Sequence, residues 1–225
     1  SSDLLYFIPI LGFILYLVIG QDFHKSRMFK AKEIDGDLKY AVRRQEENIY
    51  RKRLRLANPE MARFKDLILY NLEAGQAVLT DNNDVRIYKD GREKFQALLT
   101  EMEQAKRYIH MQYYIIKNDE LWQAIEPVLK RKVKEGVAVR ILFDSMGCRT
   151  MKNRDWERLE RAGIEVAEFF PALLGNLQLR INYRNHRKIV VIDGRIGFVG
   201  GFNVGREYIG LDEKFGYWRD THLCI

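Results

Sequence analysis

A chain of 225 residues, 47% of them apolar and 31% charged, is long enough to bury a sizeable core and too rich in large apolar side chains to stay disordered. Its 38 Lys and Arg against 31 Asp and Glu leave a net charge of +7, which favours an anionic partner over a cationic one. Two cysteines, Cys148 and Cys224, exclude a disulfide scaffold and lack metal-ligand spacing, so a reducing compartment fits best.

The first element in chain order is Leu4–Gly20, seventeen residues without a charge. As a helix at ~1.5 Å per residue it would reach roughly 26 Å, the short end of what spans a bilayer. A secretory signal wants a basic flank and a cleavage site of small residues; Asp3 is the charge ahead of the run, and nothing after it looks cleavable. Residues 4–20 therefore read as a transmembrane helix. The chain opens on Ser rather than Met, so further residues are expected ahead of it. Lys25, Arg27, Lys30 and Lys32 follow the run against Asp22 and Glu33, a bias that places everything downstream in the cytoplasm.

Lys30 to Arg55 carries nine basic and five acidic residues with few large apolar ones. This stretch reads as a solvated linker helix, with attraction to anionic headgroups as the sharper possibility. Asn58, Pro59 and Glu60 supply a cap, an N1 proline and an early acid for a helix ending near Gly75. Residues 21–80 thus form a basic juxtamembrane tether and helix.

From Asp84 the texture changes. Short β-branched and aromatic runs predict strands over Val85–Tyr88, Tyr108–Ile116, Val137–Phe143, Ile164–Phe169, Lys188–Ile192 and Ile196–Val199. Helical patterns lie between them at Arg92–Lys106, Asp119–Lys134 and Arg154–Arg161, with Gly136 and Gly163 where C-terminal caps belong. The alternation is that of an α/β layer architecture, and residues 81–225 are its catalytic or binding lobe. The closing run from Thr221 to Ile225 looks like a strand just begun.

One segment carries chemistry. Asn182-Tyr183-Arg184-Asn185-His186-Arg187-Lys188 leads into the apolar run Ile189–Ile192, then Asp193, then a glycine-rich stretch through Gly200, Gly201 and Asn203. In an extended chain His186 and Lys188 share a face, while Asp193 points the other way. A lysine beside an imidazole neutralises phosphate oxygens and disfavours the imidazolium, leaving a neutral ring nitrogen able to attack phosphorus. Gly200 and Gly201 permit close backbone approach, and Asn203 offers an amide donor to a phosphoryl oxygen.

The pattern His-x-Lys-x4-Asp-x6-Gly-Gly-x-Asn resembles the signature of the phospholipase D superfamily. The surroundings are most similar to bacterial cardiolipin synthases: the N-terminal anchor, Gln112-Tyr113-Tyr114-Ile115, the run from Asn182 to Lys188, Asn203 to Tyr208, and Trp218-Arg219-Asp220-Thr221-His222. The resemblance implies the first half of an α-β-α sandwich preceded by a transmembrane helix. It also implies phosphatidyl transfer without metal or cofactor, through a covalent phosphohistidine. Two phosphatidylglycerol molecules would give cardiolipin and glycerol at the membrane, with no nucleic acid as partner. The catalytic set would be His186, Lys188, Asp193 and Asp220, with Lys188, Asn203, Gly200 and Gly201 around the phosphate. The family places an acid about thirty residues beyond the histidine to hold its second ring nitrogen, and Asp220 matches that place. Asp193 is then expected to bond local backbone at the strand end.

Among the other histidines, His110 reads as a core residue in an apolar strand, His24 follows the anchor, and His222 shares the face of Asp220 without a catalytic role. Phe169–Gly175, ahead of Arg180 and Arg184, reads either as a strand end with its loop or as an apolar lip dipping into the bilayer. The mechanism implied by the resemblance needs a second histidine, supplied by a further motif beyond Ile225 or by a second subunit. The fragment alone is therefore expected to be inactive, with an open half-site and an exposed sheet edge. The rival function is a membrane-tethered phosphodiesterase or nuclease on the same fold.

Overall fold

The computed structural model of this chain describes residues 36–51, 53, 56, 58–80, 82–169 and 184–225. The expected anchor at residues 4–20, its basic flank with His24, and the stretch 170–183 with Arg180 lie outside the described residues. Among the described residues no helix is long and apolar enough to cross a membrane. The chain divides into two compact units that meet in sequence at Asp84 and Val85.

In the first unit, α1 (Gly36–Tyr50) and α2 (Lys65–Gly75) flank a 3-10 turn at Pro59–Phe64. Asn58 caps that turn, its side chain accepting from the Glu60 N–H at 3.0 Å, and Gln76 ends α2 in the left-handed region at φ 50°. Ile49, within the stretch read as a solvated linker, is buried with Ile68 and Leu72 of α2, and Val42, Leu69, Val78 and Leu79 pack against them. Gln45 fastens the following chain by bonding both the N–H and the carbonyl of Leu79, at 2.7 and 2.9 Å.

The second unit is a seven-stranded mixed sheet with helices. Its strands are β1 (Arg86–Asp90), β2 (Tyr108–Tyr113), β3 (Ala138–Asp144), β4 (Glu165–Phe169), β5 (Ile189–Ile192), β6 (Ile196–Gly200) and β7 (Arg219–Cys224), in spatial order β1-β7-β6-β5-β2-β3-β4. β2, β3 and β4 are parallel, and every other pairing is antiparallel. The run read as a strand just begun is β7, which lies inside the sheet between β6 and β1, so among the described strands the edges are β1 and β4.

Crossover helices form where caps permit. α3 (Gly91–Gln104) starts at Asp90, whose carboxylate accepts from the Arg92 and Glu93 N–H groups; α4 (Glu120–Lys134) starts at Asp119, which does the same for Leu121 and Trp122. α5 is Asn153–Arg161. Alternation in the strands sends Ile109, Met111 and Tyr113 of β2, Val139, Ile141 and Phe143 of β3, and Val190 and Ile192 of β5 to one buried face. α3 meets that face through Lys94 on Tyr113, and α5 through Trp156, stacked on Phe143 at 3.9 Å between ring centroids. The opposite face carries a cross-strand row of Ile87, Leu223, Val199, Ile189, Gln112, Leu142 and Ala167. Ile87 and Val199 stay 61% and 38% exposed there, and the second helical layer of the expected sandwich is not among the described residues of this unit. His110, read as a core residue, sits on this second face, half-buried and stacked on Tyr108 at 4.5 Å.

Asp193 closes the hairpin between β5 and β6 in the left-handed region, at φ 56°. Its carboxylate accepts from the N–H groups of Lys106, Arg107 and Tyr108 at 2.8, 2.8 and 2.9 Å, tying the hairpin to the entry of β2. Desolvation raises its pKa, but these three bonds and the nearby Arg107 outweigh it, and the carboxyl is held below its ordinary value. Asp193→Asn, which keeps a left-handed residue but loses one acceptor oxygen and the charge, should cost about 2 kcal/mol, and Asp193→Ala about 2–4 kcal/mol. Urea unfolding measures both, and wild-type midpoints for the two variants would remove this anchor from the account.

Candidate active site

The site lies at one end of the sheet, where β2 and β3 finish, β5 starts, β6 finishes and β7 starts. His186 and Lys188 precede β5 in extended chain, so their side chains emerge on the same side. The Lys188 Nζ lies 2.9 Å from His186 Nδ1 and donates to the His186 carbonyl at 2.6 Å. Lys188 is 3% exposed whereas His186 is open to solvent. Burial pulls the Lys188 pKa down to about 8, against an opposing pull from Asp220. Partial burial and then the Lys188 charge hold His186 below the ordinary imidazole value, opposed by Asp144.

Beneath this pair, β7 passes close to the end of β6. A Cβ at Gly201 would overlap the Asp220 carboxylate, and one at Gly200 would fall on the Thr221 carbonyl and the backbone of His222. The missing Cβ atoms of the two glycines make room for a neighbouring strand. Asp220 accepts from the Thr221 N–H at 2.7 Å and acts on Lys188 through its charge; no hydrogen bond joins it to His186. Asn203 is buried with both ends of its amide in use, Nδ2 donating to Tyr208 Oη at 2.7 Å and Oδ1 accepting from the Ile115 N–H at 3.1 Å. One N–H of Asn203 is left for a ligand. Asp193 sits with the entry of β2, as described above, and not beside the imidazole.

Three features take roles not assigned from the sequence: Asp144, which was not named there, and Tyr114 and His222, which were named without them. Asp144, at the end of β3, is fully buried; it accepts from the Asn185 N–H at 3.0 Å and from the Met146 N–H at 3.0 Å, and Arg184 Nη1 lies 3.5 Å away. It thereby pins the residue immediately before His186. A carboxylate closing an apolar strand, Ile141-Leu142-Phe143-Asp144, was the available signal. Tyr114 covers the pair from the end of β2, its ring 4.6 Å from the His186 ring and 5.4 Å from Lys188 Nζ. The buried Cys148 thiol holds that turn, accepting from the Ile116 N–H and donating to the Tyr114 carbonyl. Burial pushes its pKa up to about 12, so it stays protonated and unreactive.

The third is a buried basic group under the site. His222 is fully buried with neither ring nitrogen hydrogen-bonded, and stacks on Phe202 at 6.0 Å. Lys94 is also fully buried, donating to Tyr113 Oη at 2.9 Å, with Nζ 3.6 Å from the centre of the Phe95 ring. Burial first, then the charges of Lys94 and Lys188, pull the His222 pKa down to about 3. Among the described residues no group of His, Cys, Asp and Glu could hold a metal ion.

Because His222 stays neutral in the folded chain and titrates near 6.5 when unfolded, the unfolded chain binds more protons between those two values. Its contribution to stability is intact above about pH 6.5 and falls by about 1.4 kcal/mol per pH unit as pH drops towards 3. Going from pH 7 to 5, wild type should lose about 2 kcal/mol more than His222→Gln in denaturant titrations. Parallel losses in the two proteins would show that His222 is not the group responsible.

The chain is 46% identical over 222 residues to the major cardiolipin synthase of Bacillus subtilis, a match covering 98% of this chain and 46% of that protein. It is likewise 46% identical over 222 residues to a cardiolipin synthase of Staphylococcus aureus, covering 98% of this chain and 45% of that protein. Among solved structures, a phosphatidylserine synthase of Haemophilus influenzae superposes with a TM-score of 0.49 at 15% identity, over 63% of this chain and 32% of that one. The chain spans about half the length of the curated relatives it matches. The family model described as cardiolipin synthase, phospholipase D-like domain, matches residues 98–215, just over half of the chain, from the middle of α3 to the loop before β7. The chain belongs to the cardiolipin synthase family of phospholipase D-like domains.

Proposed function

We propose that this chain supplies one half of the active site of a membrane-bound phosphatidyl transferase that makes cardiolipin from two phosphatidylglycerol molecules and releases glycerol. The observation that carries this reading is the contact between the buried Lys188 ammonium and the exposed His186 ring, in a chain of this family. An ammonium donating to Nδ1 leaves the proton of the neutral ring on Nε2. A lipid phosphate draws Lys188 onto its oxygens, and Nδ1 is then open to an acid. Asp220, whose charge already reaches Lys188, is the carboxylate assigned to that place, since Asp144, the other acid at this end of the sheet, is committed to the Asn185 and Met146 N–H groups.

The exposed ring gives its Nε2 proton to solvent and takes one at Nδ1, held there by Asp220; Nε2 of His186 then attacks phosphorus as the bond to the departing glycerol oxygen breaks, and a second histidine gives that oxygen its proton. The same histidine then takes the hydroxyl proton of the acceptor lipid, whose oxygen displaces His186 from phosphorus. The second histidine comes from the remainder of a longer chain or from a second copy. Lys188 neutralises phosphoryl oxygens and the second Nδ2 hydrogen of Asn203 donates to one; Gly200 and Gly201 admit β7, and Asp193 keeps the hairpin in register. Residues 4–20 anchor the protein as a transmembrane helix, the basic stretch within 21–80 lies against the cytoplasmic leaflet, and 81–225 form the first catalytic lobe. The uncharged run and the basic residues after it support that placement.

In the full-length protein, His186→Ala should lower transfer from labelled phosphatidylglycerol by at least about a thousandfold and abolish a phosphohistidine trapped by rapid quenching. Single-stranded DNA offered to the same preparation should stay intact. A trapped phosphohistidine that survives in His186→Ala would move the nucleophile elsewhere. Asp144 acts as a positioning residue, so Asp144→Ala should lower kcat about ten- to a hundredfold with little change in KM, and Asp144→Asn should recover part of the loss. A pure KM effect would instead make Asp144 part of the substrate contact.

A further inference from the structure

The connection from the 3-10 turn Arg206–Ile209 to β7 exposes more apolar surface than a solvent-facing loop needs. Leu211, Phe215 and Tyr217 are 50%, 50% and 68% exposed, within seven residues of one another. The loop is nevertheless tightly built. Asp212 closes its turn, the carbonyl accepting from the Phe215 and Gly216 N–H groups at 3.2 and 2.9 Å and the side chain from the Lys214 N–H at 3.1 Å. Trp218 anchors its base, with ring centroids 5.0 Å from Tyr208 and 5.6 Å from Phe215. Gly210 and Gly216, both at positive φ, bracket the tip. A hydrogen-bonded turn that holds apolar side chains outward is a preformed contact surface.

Its chemistry and its place select the partner. Phe, Tyr and Leu at a tip with Trp at the base, flanked by the exposed Lys214 and Arg219, form the amphipathic set that favours a membrane interface with anionic headgroups; Glu213 is the exposed carboxylate that opposes it. The loop runs directly into Arg219 and Asp220 and therefore borders the end of the sheet that carries His186. We propose that the Leu211–Tyr217 turn inserts Leu211, Phe215 and Tyr217 into the interface of an anionic bilayer, so that a phospholipid still seated in the leaflet presents its phosphodiester to His186. This deepens the phosphatidyl transferase reading and rests on it: the acyl chains stay in lipid while the headgroup alone enters the site.

The test uses full-length protein reconstituted in vesicles of phosphatidylglycerol and phosphatidylcholine. Leu211→Cys and Tyr217→Cys carry a polarity-sensitive dye, with Glu157→Cys on the exposed face of α5 as reference. Dyes at 211 and 217 should be quenched severalfold by lipids brominated on the acyl chain and shielded from aqueous iodide, with the reverse at 157. Iodide quenching at 211 and 217 equal to that at 157 overturns the proposal, and shielding from both quenchers overturns it in favour of a protein contact. Quenching needs no turnover, so a bound but inactive protein would fault the transferase reading alone. Leu211→Ser/Phe215→Ser should in addition raise the apparent KM for vesicle phosphatidylglycerol about tenfold while transfer from a short-chain, monomeric phosphatidylglycerol stays within about twofold. Equal loss on both substrates would make the turn part of the reaction chamber and overturn the bilayer assignment.

Discussion

A lysine that is 3% exposed must have its charge housed, and at Lys188 that requirement organises one end of the sheet. The ammonium is met by the carbonyl and Nδ1 of its own strand neighbour His186, by the face of Tyr114 and by the charge of Asp220. Each of those partners needs backbone elsewhere to be in place. Tyr114 requires β2 to end at Tyr113 and turn, and Asp220 requires β7 to pass where no Cβ on Gly200 or Gly201 would fit. Incomplete compensation for lost water is what lowers the lysine to about 8, and the same desolvation with the lysine's charge keeps the histidine neutral.

The loops around this pair are held by a repeated device. Where strands end, backbone N–H groups lose their ladder partners, and a side-chain oxygen is the nearest substitute. Asp193 takes three such groups, Asp144 two, and Asn203 one while its amide nitrogen holds Tyr208. Asp119 does the same twice over, capping α4 with one carboxylate oxygen and taking the Arg206 N–H with the other at 2.7 Å. Stability and positioning are in this way the same set of bonds, and loss of any one would loosen both.

Local structure was legible because local physics decides it. Asn58 as a cap, Gly136 and Gly163 at positive φ after their helices, and the apolar strand runs could each be read within a few residues. Departures came where a distant partner intervened. The strand expected to reach Ile116 stops at Tyr113 because the Tyr114–Lys117 backbone pairs with Val204 and the Cys148 thiol instead of with β3. His110 stands on the opposite face from Ile109 and Met111, an alternation that an apolar window averages away. The charged stretch around α1 was read as a solvated helix because few of its side chains are large and apolar, yet Ile49 finds Ile68 and Leu72 across a turn.

By itself the sequence determined which residues share a face of the extended chain. The spacing of His186, Lys188, Asp193, Gly200, Gly201 and Asn203 on extended chain is a local matter, and strand alternation alone puts His186 and Lys188 together and Asp193 apart. Tertiary structure decided what each of the others touches. The glycines face β7, Asn203 bonds to Ile115 and Tyr208, Asp220 acts on Lys188 without bonding His186, and Asp144, 42 residues before His186, holds its neighbour Asn185. Those contacts depend on the strand order β1-β7-β6-β5-β2-β3-β4, which places far-separated segments side by side. Such pairings follow from the burial of one common sheet face, a property of the assembled sheet that no short window of residues contains.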